Sequence, residues 1–125
     1  MTASDQWYVL IEAGSGYLDG AWELKEKQHV DGDRTAALIR AEVVSGMWAP
    51  RGWDAPHVGR LVFELSDTSW LVELSEERWP TDAPKPYTRT IFFRVSVARL
   101  FHAKEARPAQ PPEKRPGFVR RALGG

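Results

Sequence analysis

Apolar and polar residues alternate over residues 6–13, where Trp7, Val9, Ile11 and Ala13 oppose Tyr8, Leu10 and Glu12, the period of two that marks a half-buried strand. Gly14-Ser15-Gly16 ends that run, and Asp19-Gly20 precedes residues 21–27, where Trp22 and Leu24 alternate with Glu23, Lys25 and Lys27. The pattern predicts a second strand, antiparallel to the first, with a charged outer face. After Asp31-Gly32-Asp33 the period becomes helical. Ala36, Ile39, Val43 and Met47 form a stripe that Leu38 and Ala41 widen, which predicts a helix over 34–45 with Asp33 as N-cap and Gly46 as its stop. Trp48, Pro50, Gly52, Trp53 and Pro56 then read as an irregular loop carrying two indoles, with Trp48 and Trp53 as a candidate aromatic surface patch.

Period two returns over 60–65 and 70–75, with Leu61, Phe63 and Leu65 on one face of the first run and Trp70, Val72 and Leu74 on one face of the second. These predict a hairpin with a four-residue turn at 66–69, followed by an acidic, proline-bearing loop over 76–86. The most continuously apolar run is 88–101. There Ile91, Phe93, Val95 and Val97 alternate with Phe92, Arg94, Ser96 and Ala98, and a large apolar residue on both faces predicts a central strand. Its end, 96–101, is expected to turn helical with Ser96 as cap. Beyond Ala103 apolar residues nearly vanish until Phe118, and four prolines lie between Arg107 and Gly117, so a disordered C-terminal tail is expected. The expectation is a single α+β domain over 1–103, a mainly antiparallel sheet of about five strands in the order ββαβββ packed on one helix, with a flexible Pro-rich basic tail over 104–125.

Composition changes this picture in three respects. The six Trp among 125 residues are many for so short a chain, so indoles should build the core or a binding face. There is no Cys, which excludes disulfides, thiolate metal sites and thiol nucleophiles. No apolar run approaches the roughly 20 residues of a spanning helix, and residues 1–6 have no basic leader pattern, so a cytoplasmic location away from membranes is expected.

The zero net charge hides a dipolar chain: up to Asp82 there are 15 acids and 7 bases, and from Ala83 onward 2 acids and 10 bases. Arg89, Arg94 and Arg99 recur along the central strand, and Lys104, Arg107, Lys114, Arg115, Arg120 and Arg121 follow. Such a run can hold phosphates, which makes nucleic-acid binding one functional alternative.

Motifs that could carry chemistry are sparse. His29, Asp31 and Asp33 are metal-ligand types at close spacing, but no further His or Cys stands nearby, and a polar turn with a helix cap explains them; no metal and no cofactor are expected. Gly14-Ser15-Gly16 leads into a strand rather than the helix N-terminus that phosphate loops use. Glu76, Glu77 and Asp82 read as a solvated acidic loop. With no acid, base and nucleophile assembled, no enzymatic activity is expected.

The Trp-bearing first strand, the Ala-rich helix ending near Pro50, Arg60-Leu61-Val62-Phe63, Ser69-Trp70-Leu71-Val72 and the Phe93-to-Leu100 run resemble small uncharacterised proteins of high-GC Gram-positive bacteria, over residues 6–101. The resemblance implies a compact domain and carries no activity. The expected function is therefore a small binding or adaptor protein. Its tail would dock on a protein partner through Phe118, Val119 and Leu123, with Arg120 and Arg121 adding charge contacts. The terminal Gly124-Gly125 raises a further alternative, a ubiquitin-like carrier. The sequence leaves the oligomeric state open.

Overall fold

The computed structural model describes residues 4–14 and 21–113. Along the chain the elements are β1 (Trp7–Gly14), β2 (Trp22–Val30), α1 (Arg34–Met47), β3 (Gly59–Ser66), β4 (Ser69–Arg78) and β5 (Tyr87–Arg99). Across the single sheet the order is β2-β1-β5-β4-β3, so the order in space differs from the order in sequence. All four pairings are antiparallel. β5 lies in the middle, where it joins the hairpins β1–β2 and β3–β4. Its two apolar faces suit that place, because a central strand meets residues on both sides of the sheet.

The helix covers one face. There Val9 and Ile11 of β1, Val72 and Leu74 of β4, and Phe93 and Val95 of β5 are fully buried. Ala37, Ala41, Val44 and Ser45 of α1 are buried with them, at i, i+4, i+7 and i+8. This corrects the stripe expected from the sequence: Ile39, Val43 and Met47 face outward and are exposed. The reason is steric. Two alanines and a serine let the helix axis approach the pleat closely, where isoleucine and methionine would hold it off. Ser45 returns its hydroxyl to Ala41 O at 2.8 Å, so its burial leaves no unpaired donor.

The helix begins where expected, with Asp33 Oδ1 accepting from Ala36 N at 3.0 Å. Gly46 does not stop it. The helix continues to Met47, Trp48 is the C-cap, and its N–H donates to Val44 O at 2.8 Å. Other ends also move. The β3–β4 turn is shorter than expected, since Ser66 pairs with Ser69. β4 continues through Glu76, Glu77 and Arg78, which pair with Arg89, Thr88 and Tyr87, so these acids belong to a strand. β5 stays extended to Arg99 instead of turning helical at Ser96, because β1 supplies a full ladder from Ala13↔Phe93 to Trp7↔Arg99. An available ladder satisfies more backbone groups than one isolated helical turn.

Residues 100–113 form neither helix nor strand and are exposed. No helix among the described residues is long and apolar enough to cross a membrane.

Candidate functional site

The other face of the sheet has no helix over it, and its residues are not the polar ones such a face usually carries. Register places them in rows. Leu24, Glu12, Arg94, Leu71 and Phe63 lie side by side across all five strands. Leu61, Glu73 and Phe92 form the neighbouring row. Trp22, Leu24, Leu61, Phe63 and Phe92 are between 43% and 56% exposed. That is far more apolar side chain than single scattered surface residues present, and contiguous patches of this kind mark interaction surfaces.

Two local features put these residues here. The β1–β2 register shifts between Ile11 and Glu12, so that Glu26 faces Ile11, Leu24 faces Glu12 and Lys25 is the extra residue. A one-residue slip exchanges the faces of everything beyond it. Gln28 and Val30 therefore lie on the helix side, while Leu24 and Trp22 lie on the open side. The tight β3–β4 turn does the same for β3: Phe63 pairs with Leu71, whereas Val62 pairs with the buried Val72. Leu61 and Phe63 thus stand opposite in face to Trp70, Val72 and Leu74, while Leu65 is the extra residue of a second register shift, between Glu64 and Ser66.

One ion pair crosses the middle of this apolar field. Arg94 donates through Nε and Nη2 to Glu12 Oε1, at 3.1 and 2.9 Å, and its guanidinium lies 5.8 Å from the Trp22 ring. Both bonds go to one oxygen. At the far end, Tyr8, Leu10, Lys27, Leu100, Phe101 and His102 line a depression of about 400 Å³ where the chain leaves β5.

The residues singled out from sequence are distributed differently. Trp48 and Trp53 are half-buried and pack against the core. Trp48 meets the Phe93 ring edge-on at 4.8 Å, and Trp53 lies under the Arg89 guanidinium at 4.0 Å. The exposed aromatics are elsewhere, Trp22 and Phe92 among them. Phe118, Val119, Arg120, Arg121 and Leu123 lie outside the described residues, as does the terminal Gly-Gly.

The three strand arginines do not form one basic patch. Arg89 pairs with Glu76 at 2.7 Å, Arg94 with Glu12, and Arg99 with Asp5 at 3.5 Å. Arg89 and Arg94 also stand on opposite faces, as their odd and even positions in β5 require. Glu76 takes both Arg89 and Arg78, and the bond from Arg89 is the main cause that holds its carboxyl below the usual value.

Polar groups that could do chemistry are few. His57 Nδ1 lies 2.6 Å from Asp54 Oδ2, three residues away on the same loop, with both side chains well exposed. Ser75 borders the same depression of about 450 Å³, but its Oγ is directed across the strand pair, 2.5 Å from where a Cβ on Gly59 would stand. His29 meets Gln6 Oε1 at 2.7 Å and Asp31 at 3.6 Å, while Asp33 is used as the helix cap. Among the described residues no three His, Cys, Asp or Glu side chains stand together as a metal site. No family model, curated protein or solved structure matches the chain.

Proposed function

We propose that this protein is a binding module rather than an enzyme, and that the uncovered sheet face holds the apolar surface of a protein partner. The observation that carries this is the row structure of that face: five large apolar side chains, Trp22, Leu24, Leu61, Phe63 and Phe92, each roughly half exposed, spread over three of the five strands and surrounding one ion pair. Covering them removes apolar area from water at about 25 cal/mol per Å². The Arg94–Glu12 pair would then fix orientation, since a covered pair with unused donor and acceptor positions favours only a partner that satisfies them. Both hydrogen bonds fall on Oε1, which leaves Oε2 and Arg94 Nη1 for that purpose.

The segment over 104–125 enters this proposal as a second contact to the same partner, through Phe118, Val119 and Leu123 with Arg120 and Arg121. A photo-crosslinking side chain in place of Phe92 in the full-length chain, in its native cell, tests the face. It should capture a defined protein, and Leu24→Lys should abolish the capture. The reading fails if nothing is captured, or if Leu24→Lys changes nothing. Phe118→Ala with Leu123→Ala tests the tail separately and should lower the yield without abolishing it.

A further inference from the structure

The two edges of the sheet are unlike. β2 carries Glu23, Lys25, Glu26 and Lys27, the charges that keep an edge from pairing with another strand. β3, at the other edge, reads Gly59-Arg60-Leu61-Val62-Phe63-Glu64-Leu65-Ser66. Leu61, Val62, Phe63 and Leu65 are all exposed, on both faces of the strand. An unpaired edge of this kind is a template for another strand.

The order of charges on β3 says which strand fits. Arg60 and Glu64 stand two residues either side of Val62, with apolar residues between them. A two-fold axis at Val62 that pairs β3 with β3 of a second copy, antiparallel, sets Val62 against Val62, Leu61 against Phe63 and Arg60 against Glu64, the last two pairings occurring twice. All opposed residues share a face, because their numbers sum to an even value. Shifting the axis to Phe63 would set Val62 against Glu64 and leave Arg60 against Ser66. In the single chain the Glu64 carboxylate has no hydrogen bond or ion pair among the described residues. Arg60 is engaged within its own chain, with Nη1 donating to Ser45 O at 3.0 Å and Nη2 buried, so the Arg60–Glu64 contact requires the guanidinium to turn away from Ser45.

We infer that the protein self-associates through β3, forming a ten-stranded sheet across a two-fold axis at Val62. The pairing is separate from the proposed partner face but extends it, since Leu61 and Phe63 of the two copies become neighbours on the open side. Eight residues of edge and four apolar side chains per copy make a small interface, below about 1,200 Å² in total, so the dimer is weak and its population follows concentration.

Because the chain has no Cys, Val62→Cys introduces a single thiol. Directly opposed residues have Cα atoms about 4.5–5.5 Å apart, inside the disulfide range of about 4.4–6.8 Å. Full-length Val62→Cys should therefore oxidise to a covalent dimer. Glu64→Cys should not, because the axis separates its two copies by roughly 13 Å along the strands. Sedimentation of the unmodified chain should show a dimer growing with concentration, and Glu64→Arg should weaken it at least about tenfold by opposing Arg60. Arg60→Glu should do the same alone, and an equimolar mixture of the two variants should associate again, because every opposed pair is then complementary. Should Arg60→Glu fail to fold, the cysteine pair decides. A chain that stays monomeric up to about 0.5 mM, or equal crosslinking at 62 and 64, overturns the inference. Neither result bears on capture at Phe92.

Discussion

The two faces of this sheet are made from much the same residues and end in different states. Under α1, Val9, Ile11, Val72, Leu74, Phe93 and Val95 lose all contact with water; on the reverse, Trp22, Leu24, Phe63 and Phe92 keep about half of their surface. Phe93 and Phe92 are adjacent in β5, one sealed against Trp48 and the other open. The difference is not hydrophobicity but the presence of an element short enough in side chain to lie down on the sheet. A single helix of 14 residues covers one face, and the described chain has no second layer for the other. An apolar face without its own layer stays about half exposed in this fold.

The largest expected effect separates those neighbours. Phe93→Ala should cost about 3–5 kcal/mol of unfolding free energy, for lost burial and the cavity beside Trp48. Phe92→Ala should cost under about 1 kcal/mol, as surface changes do. Denaturant unfolding of the two variants measures both, and equal losses would break the comparison. A smaller effect probes how the helix seals its side. Ala41→Leu adds bulk at a fully buried position of the helix and should cost about 1–3 kcal/mol, whereas Ile39→Ser on the outward side should leave the denaturation midpoint nearly unchanged. Loss of the cap comes next. Asp33→Ala removes the acceptor for Ala36 N and should cost about 1 kcal/mol, read as lower thermal stability.

The sequence carries the strands well, since alternation in residues 7–13 and 91–97 is local information, and Asp33 announces the helix by its own chemistry. The side of each element is another matter. Alpha1 has two apolar stripes one position apart, and bulk favours Ile39, Val43 and Met47 while close packing selects Ala37, Ala41 and Val44. The open face is hidden for a similar reason. Leu61 and Phe63 look like core until the two-residue turn fixes their partners, and Leu24 changes face only through the extra residue at Lys25. The ion pair at the centre of that face joins residues 82 apart in sequence. A signal was nevertheless present: β3 is apolar on both faces, more than an edge strand needs, and β5 likewise has two apolar faces.

The smallest expected effect concerns how each face uses charge. On the helix side Glu76 is bridged by Arg89 and Arg78, with its side chain only 14% exposed, and Arg89 also reaches Gly52 O and stacks on Trp53, tying the loop after α1 to β5. Hydrogen bonding from Arg89 lowers the folded-state pKa of Glu76 below its ordinary value of 4.5. A depressed carboxyl pKa means that the unfolded chain takes up the proton first as pH falls. The stabilisation is therefore complete above the ordinary value and disappears as pH drops through the folded value. Glu76→Gln keeps the shape and one acceptor but removes the charge, so it should be the less stable chain near neutral pH. The gap between the two chains should then close in acid, because the unmodified chain loses the same charge by protonation. Thermal melts of both chains from about pH 7 down to about pH 3 follow that convergence. A gap that stays constant over the range would mean that Glu76 acts through packing alone, and the charge contrast between the two faces would lose its support.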